Sequence, residues 1–294
     1  MREKGDERLK SIVITGFNRP RLLENCLESV FNARGSQNFK KIVFLQYGDD
    51  KSRKVIENYA DSLDTLIGTH PSGKSVDARI TNNRLTGLFL GFEYWKSEYV
   101  VSLEDDVSIS EDALEFIESC YERYSKNRKF RGVNLGSKLP FTEREKTTFS
   151  LLRYGIHGPA SMITRETWNR LNVKKLLKHD EIIFDAQIEF ELKSGFMATP
   201  NCSRYLDQGF QGTHFIGSET DEYFWKLSGS FVGDRVPENS QYTLRNLEPN
   251  WRKDCKTYTS RNNYYYSLKA ILYKLSYHFP QLLEVKRFFR RNKS

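Results

Sequence analysis

"VVSLEDDVSISEDALEF", residues 100–116, decides the fold, because an apolar run leads directly into three consecutive carboxylates. The apolar run that ends at Glu104 is typical of a buried parallel strand. After the acids, apolar residues recur at helical spacing through Tyr124, and Ser108 with Glu111 predicts a capping box where this helix begins. A buried strand that leads through a polar turn into a helix is the repeating unit of α/β folds.

The same alternation of strand and helix extends through roughly the first 130 residues. Strands are predicted at 11–17, 40–50, 64–70 and 98–106, and helices at 18–35, 51–63, 82–97 and 110–127. This order predicts an α/β, Rossmann-like fold with a mixed, mainly parallel sheet. After "FRGVNLGS" (130–137) the pattern loosens into shorter elements. We expect a single main domain at 1–250 and a helical tail at 251–294.

The net charge of +8 is concentrated at the C-terminal end of the chain. Residues 252–294 carry a surplus of +9, whereas residues 1–251 carry −1. This neutral body argues against nucleic acid as a partner. No apolar run reaches the roughly 18 residues that span a bilayer, and the charged start "MREKGDERLK" lacks the apolar centre of a secretory signal. We therefore expect a cytoplasmic protein whose four scattered cysteines are reduced.

The tail combines apolar side chains with clustered cations. Apolar residues between Leu268 and Leu275 form a helical stripe, and Phe288 and Phe289 lie among lysines and arginines. This composition suits contact with an anionic membrane surface, which would place the protein at the inner face of the membrane. The alternative is a helix that packs on the main domain or on a second subunit, and the oligomeric state stays open.

The carboxylates at the end of the fourth predicted strand indicate a binding site, because ligands of open α/β sheets bind beyond the carboxyl ends of the strands. In an extended segment, Glu104 and Asp106 point to one face and Asp105 to the other. Grouped carboxylates repel one another, and a divalent cation such as Mn²⁺ or Mg²⁺ relieves this repulsion while it bridges to phosphate. The alternative is a solvated turn that stabilises the start of the next helix.

A series of segments resembles the GT-A class of glycosyltransferases, nearest the N-acetylglucosaminyltransferase I and protein O-mannose N-acetylglucosaminyltransferase type. The segments are "VITGFNRPRLLENCLESV" (13–30), "NNRLTGLFLGFEYWKSEYVVSLEDDVSISEDALEFI" (82–117), "GPASMITRETWNRL" (158–171), "FDAQIEFELKSGFMATPNCSRY" (184–205) and "GFQGTH" (209–214). They occur in the order of that family and cover most of residues 11–215. The resemblance implies a GT-A fold and a nucleotide-sugar donor bound with Mn²⁺ or Mg²⁺.

The resemblance also implies roles for residues near the start of the chain and in the acidic triplet. Asp106 would bind the metal, and Glu104 and Asp105 would lie against the ribose and the donor sugar. Thr15 and Arg19 would flank the nucleotide.

Further roles fall on the helix before the triplet and on the second predicted strand. Arg84 would approach the nucleotide or the diphosphate, with Arg79 as its rival. Where relatives often place a base-reading aspartate, this chain has Tyr47, which would stack on the base, or Asp49, which would take the aspartate's role. A uridine nucleotide is therefore favoured.

Two residues in the second half complete the site that the resemblance implies. Asp185 matches the family's general base. A sugar hydroxyl is a weak nucleophile at neutral pH, so a carboxylate is needed to take its proton. Asp180 and Glu181 are the nearby alternatives for this role. Asp185 would otherwise be a helix-opening residue. His214 matches a metal-ligating histidine, and otherwise is a hydrogen-bonded loop residue.

These expectations together describe an inverting, metal-dependent glycosyltransferase. Its donor would be a UDP-linked sugar, with GlcNAc as the first candidate, and its acceptor a glycan or a lipid-linked glycan. Residues 217–226 would form a lid over the donor. One alternative is a nucleotidyltransferase that makes a nucleotide-sugar, although "TGFNRPR" lacks the glycine-rich, lysine-bearing loop. The other is a non-catalytic nucleotide- or glycan-binding protein on the same fold.

Overall fold

The computed structural model of the chain describes residues 9–46, 50–69, 76–136, 149–152, 159–176, 195–200 and 203–208. Among these residues, eight strands form one mixed sheet. These strands are β1 (Lys10–Gly16), β2 (Lys40–Gln46), β3 (Thr65–Thr69), β4 (Tyr99–Glu104), β6 (Phe130–Asn134), β7 (Phe149–Leu152), β8 (Ala160–Thr164) and β9 (Phe196–Pro200). Two further strands, β5 (Val107–Ile109) and β10 (Tyr205–Asp207), pair antiparallel as a separate small sheet.

Helices follow the strands as the sequence predicts. They are α1 (Pro20–Asn32), α2 (Asp50–Glu57), α3 (Val76–Phe89), α4 (Ala113–Tyr124), α5 (Arg165–Arg170) and α6 (Val173–Leu176). A π-helical turn extends α3 over Leu90–Tyr94. The predicted α/β fold with a mainly parallel first half is confirmed. Within the described part of the chain, no helix is both long and apolar enough to cross a bilayer.

One detail of the α4 prediction is wrong. Ser108 lies in β5, and α4 begins at Ala113 with Asp112 at its N-cap, so the predicted capping box does not form. The carboxylate of Asp112 accepts a hydrogen bond from Nε of Arg204 (2.8 Å) instead of capping the helix. A long-range ion pair has therefore replaced the local capping interaction.

The sheet is covered on both faces, which explains why β1 reads as an uninterrupted apolar run. Ile12 and Ile14 pack in one cluster with the apolar face of α1, whereas Val13 packs in a second cluster with residues of α3. Successive side chains of a strand point to opposite faces, so a strand between two helical layers needs apolar residues on both faces, as Ile12, Val13 and Ile14 provide.

Two glycines bring α3 close to the sheet. A Cβ on Gly87 would lie 2.4 Å from Cγ1 of Val13, and a Cβ on Gly91 would lie 2.6 Å from Cγ2 of Val100. No side chain fits in either space, so the helix axis can approach β1 and β4 only because these positions are glycine. Arg84, one turn before Gly87, is thereby held against the carboxyl end of β4.

The strand order creates a switch point between β1 and β4. The sheet runs β3-β2-β1-β4-β8-β6-β9-β7, and β1 pairs in parallel with both β2 and β4. The chain leaves β1 toward β2 and β3, and then returns to place β4 on the other side of β1. In such sheets the connections diverge at this point and leave a crevice at the carboxyl ends of the strands. Thr15 is paired in register with Glu104, so the acidic triplet opens into that crevice.

Candidate active site

The three acids of the triplet follow β4 at the switch point. Glu104 ends the strand, and Asp105 and Asp106 form the turn before β5. Asp105 is completely buried. Its backbone N–H donates to the carbonyl of Thr15 (3.0 Å), and its Oδ2 accepts from the backbone N–H of Phe17 (2.9 Å). The carboxylate is thus built into the junction between β1 and β4.

Arg19 joins the two aspartates. Its Nη2 donates to Oδ1 of Asp105, and its Nη1 donates to Oδ2 of Asp106. The prediction that Asp105 and Asp106 point to opposite faces is therefore wrong. The alternation of an extended strand ends at Glu104, and the turn that follows brings both aspartates to the same guanidinium.

The backbone of the segment between β1 and α1 places Arg19 next to Asp105 and Asp106. A Cβ on Gly16 would lie 3.0 Å from Oδ2 of Asp105, so a larger residue here would press on that carboxylate. Asn18 has a left-handed backbone (φ 52°), which asparagine tolerates better than most residues. Arg19 is the N-cap of α1, and Pro20 occupies the first turn, where proline is favoured.

Burial and charge set the protonation behaviour of this cluster. Burial raises the pKa of Asp105 to about 7; Arg19 opposes the rise, and Asp106 adds to it. Burial by itself would lower the pKa of Arg19, but the neighbouring carboxylates Asp105 and Asp106 outweigh it and raise the pKa above its ordinary value. Burial also raises the pKa of Cys26 well above that of an ordinary thiol. Cys26 is therefore a neutral thiol, and its Sγ lies 3.6 Å from the carbonyl of Glu104.

Arg84 lies next to the first acid of the triplet. Its guanidinium is buried, with Nη1 3.4 Å from Oε1 of Glu104 and Nη2 3.4 Å from Oγ of Ser102. Each carboxylate of the triplet therefore has an arginine beside it. Of the three acids, Glu104 has the most exposed side chain.

Asp106 has the chemistry that a divalent cation requires. The residue is 7% exposed, and its Oδ1 is buried without a hydrogen-bond partner. Its backbone carbonyl accepts from the N–H of Gln208 (2.8 Å), and the side chain of Gln208 accepts from Nδ2 of Asn25 (3.0 Å), so the turn is held from two sides. Mn²⁺ and Mg²⁺ use one or two carboxylates together with substrate phosphates. One fixed carboxylate with an unused oxygen fits that requirement, although the described residues contain no cluster of three metal-ligating side chains.

The structure adds site residues that the sequence did not single out. Phe17 lies directly after β1 with its side chain 41% exposed, while its N–H is bound to Asp105. The signal was available, since an aromatic residue follows the glycine that ends the strand. Gln46, at the carboxyl end of β2, accepts a hydrogen bond from Nδ2 of Asn83 (3.1 Å). These amides line the same edge of the sheet as Thr15.

Several predicted site residues lie outside the described part of the chain. They are Tyr47, Asp49, Asp180, Glu181, Asp185, His214 and the proposed lid 217–226. The tail 251–294 also lies outside it. Thr15, Arg19, Arg84, Glu104, Asp105 and Asp106 are brought together at one edge of the sheet.

A family model gives the switch-point site a chemical context. The model described as "Glycosyl transferase family 2" matches residues 11–169, which include all but one residue of β1, the acidic triplet and all but one residue of α5. The chain belongs to glycosyl transferase family 2. It is therefore a glycosyltransferase of the GT-A fold, and the nucleotidyltransferase alternative loses its support. No curated protein matches this glycosyltransferase in sequence.

Solved structures share the fold of this glycosyltransferase. The mannosyltransferase PcManGT from Pyrobaculum calidifontis, in complex with GDP-Man and Mn²⁺, aligns with a TM-score of 0.53 and 12% identity over 91% of this chain and 72% of that one. TarS 1–349 from S. aureus, in complexes with UDP and with UDP-GlcNAc, aligns with a TM-score of 0.52 and 11% identity over 88% of this chain. The TarS alignments cover 72% and 73% of those chains. At such identities the likeness shows the fold alone. The narrower resemblance to the N-acetylglucosaminyltransferase I type stays a prediction.

Proposed function

We propose that this family 2 enzyme transfers a sugar from a UDP-linked donor, with UDP-GlcNAc as the first candidate, to a hydroxyl of a glycan or lipid-linked glycan. The transfer is metal-dependent and inverts the anomeric centre. The observation that carries the proposal is the buried, unpaired Oδ1 of Asp106 at the switch point of the sheet. A buried acceptor without a partner is costly, and it is explained most simply by a ligand.

Asp106 would hold Mn²⁺ or Mg²⁺, and His214 is proposed as a second ligand. When bound, such a cation neutralises charge that develops on a diphosphate leaving group. A neighbour of the same fold was solved with Mn²⁺ and a nucleotide-sugar, which supports the choice of metal. The backbone bond from Gln208 to Asp106 keeps the carboxylate in place before any ligand arrives.

The remaining acids have distinct proposed roles because their exposure differs. Glu104 is the acid whose side chain a ribose or donor sugar can reach, and Arg84 lies 3.4 Å from its Oε1. Both oxygens of Asp105 are occupied, by the N–H of Phe17 and by Arg19. Asp105 therefore acts on the donor through those two residues.

The nucleotide would lie along the carboxyl ends of β1 and β2. Phe17 offers an exposed ring for stacking on the base, next to Thr15 at the end of β1. Tyr47 is proposed as a second stacking residue, or Asp49 as a hydrogen-bonding partner of the base. A uridine donor is favoured by the resemblance of the sequence and is supported by the UDP complexes of a neighbour that shares the fold.

Asp185 is the proposed general base. A sugar hydroxyl is a weak nucleophile at neutral pH, so a carboxylate must take its proton as the new glycosidic bond forms. The base must lie away from the metal carboxylates, since a cation would lower its basicity. Attack from the face opposite the leaving diphosphate gives inversion.

The charge distribution supports a two-part chain. Residues 1–250 would form the catalytic domain and residues 251–294 a basic tail. The tail would hold the enzyme at an anionic membrane surface, on the side where cytoplasmic nucleotide-sugars are available. A lipid-linked acceptor would be reached most easily from that position.

Calorimetric titration tests the proposal directly. Wild-type protein is titrated with UDP-GlcNAc, GDP-Man, UDP and GDP, each with and without Mn²⁺. We expect UDP compounds to bind best and more tightly with Mn²⁺ than without it, and Asp106→Asn to abolish this gain from Mn²⁺. Asp61→Asn, a change of the same type at an exposed position, should bind like wild type. Binding that is independent of Mn²⁺ and of Asp106 would remove the metal site from the proposal.

A further inference from the structure

Arg19 binds Oδ2 of Asp106, and the unpaired Oδ1 that the proposed cation would use belongs to the same carboxylate. The two terminal nitrogens of Arg19 each donate to a different carboxylate, one on Asp105 and one on Asp106. We propose that Arg19 is an exchangeable counter-ion. It pairs with both aspartates in the free enzyme and moves to the donor diphosphate when the nucleotide and metal enter. This inference rests on the proposed function, because it assigns the order in which that site fills.

The local backbone shows that Arg19 is placed for its guanidinium. It occupies the N-cap of α1, where Ser, Thr, Asp or Asn would stabilise the helix through a side-chain oxygen. Arginine has no acceptor to offer, and no side-chain cap bond is made. The left-handed Asn18 and the adjacent Pro20 fix the chain direction so that the side chain reaches the aspartates. Arg19 therefore binds the two carboxylates and does not cap the helix.

Exposure shows which partner can move. The side chain of Arg19 is 32% exposed, whereas those of Asp105 and Asp106 are 1% and 10% exposed. The aspartates are fixed by backbone bonds to Thr15, Phe17 and Gln208. The guanidinium can therefore leave toward the crevice without opening the core, and the carboxylates stay where they are.

Charge balance explains why Arg19 and a metal exclude each other. Two carboxylates and one guanidinium leave a single negative charge, which is a poor site for a dication held close to the guanidinium. With a diphosphate present, the guanidinium gains a phosphate partner that its planar fork matches well. Asp106 would then hold the dication without a guanidinium on the same carboxylate.

The exchange predicts that metal and nucleotide bind cooperatively. Mn²⁺ alone should bind weakly, because it must displace Arg19 into solvent. UDP should strengthen Mn²⁺ binding, and by reciprocity Mn²⁺ should strengthen UDP binding by the same factor, roughly 5 to 150 for typical coupled ligands. Without the guanidinium, Mn²⁺ alone should bind more tightly, and the coupling factor should fall to the part that the direct attraction between metal and diphosphate supplies.

The experiment measures Mn²⁺ binding by electron paramagnetic resonance with and without UDP, in wild type, Arg19→Ala and Arg19→Gln. Arg21→Ala is the matched control, because Arg21 is an exposed arginine two residues along the same helix. We expect both Arg19 variants, and not Arg21→Ala, to bind Mn²⁺ alone about tenfold more tightly, within the usual range of coupling. Thermal melting verifies that each variant is folded, and Arg19→Gln carries the comparison if Arg19→Ala is not.

The outcomes separate this inference from the proposed function. If Mn²⁺ and UDP bind wild type together, but the Arg19 variants match Arg21→Ala in metal-only affinity, the exchange is overturned and the metal-dependent site stands. If Mn²⁺ binds wild type equally well with and without UDP, the exchange is also overturned. If neither Mn²⁺ nor UDP binds wild type, the proposed function itself fails.

Discussion

Two ion pairs in this glycosyltransferase have the same length but different surroundings, and they allow the effect of burial to be measured. Nε of Arg204 lies 2.8 Å from Oδ2 of Asp112, with side chains 2% and 5% exposed. Nη2 of Arg34 lies 2.8 Å from Oε2 of Glu115, with side chains 52% and 43% exposed. Both acids lie at the start of α4, so the same helix provides the test and its control.

Asp112→Ala should destabilise the protein strongly. It removes the carboxylate from a buried guanidinium, and the loss of one partner of a buried pair costs about 3–5 kcal/mol. Ser110 also loses its acceptor, since its Oγ lies 2.7 Å from Oδ1 of Asp112, which adds about 1 kcal/mol. The ring of Phe116, 5.6 Å from the guanidinium of Arg204, is present before and after the change and offsets none of this loss. The expected loss is therefore about 4–6 kcal/mol.

Glu115→Ala should cost about 0–1 kcal/mol, because water solvates both partners once the pair is broken. The assay is urea unfolding followed by circular dichroism, with the free energy of unfolding compared among wild type and both variants. Losses that agree within about 0.5 kcal/mol, the usual tolerance of additivity, would refute the reasoning from burial. In the double variant Asp112→Ala/Arg204→Met no charge remains buried, so much of the lost stability should return.

The same ion pair also supports the active site, so its loss should change metal affinity as well as stability. The carbonyl of Arg204 accepts from the N–H of Ser110 (2.9 Å), and β10 leads to Gln208, whose N–H binds the carbonyl of Asp106. Asp112→Ala should therefore weaken Mn²⁺ binding in the presence of UDP more than Glu115→Ala does. Equal metal affinities in the two folded variants would show that β5 and β10 hold the turn without this pair.

Three further predictions follow from the packing and from the proposed roles. Gly87→Ala should cost about 1–3 kcal/mol of unfolding free energy by overpacking against Val13, measured by urea denaturation, and a second change, Val13→Ala, should recover part of that loss. Phe17→Ala should weaken UDP binding by roughly 5- to 150-fold in calorimetry, the range of base–aromatic stacking. Phe89 is also exposed but lies at the C-terminal end of α3, so Phe89→Ala should leave UDP binding unchanged. Asp185→Asn should lower kcat by about 10²–10⁴ while UDP-GlcNAc affinity is kept, and unchanged turnover would remove the base assignment.

The fold was predictable because its signals are local. The apolar runs of β1 to β4 and the helical spacing of α1 and α4 depend only on which residues are near neighbours along the chain. Parallel order also follows from alternating strands and helices. Because ligands bind at the carboxyl ends of strands, the sequence alone then predicts a site at Glu104, Asp105 and Asp106.

The interior arrangement of the site was not predictable in the same way. The turn at Asp105 and Asp106 broke the expected alternation, and the Ser108 capping box gave way to β5. Arg204 lies 92 positions from Asp112, so no local pattern could reveal their pairing. Each of these features depends on contacts between distant segments.

The amino-acid sequence by itself determined the α/β class, the first four strands and the position of the acidic triplet at a strand end, because hydrophobic periodicity is a property of short segments. Only the tertiary structure decided that Arg19 bridges Asp105 and Asp106, that one oxygen of Asp106 is buried without a partner, and that Gly87 lets α3 lie against β1. The physical reason is that charge pairing, desolvation and close packing depend on distances in space, which the chain sets only when its remote segments have come together.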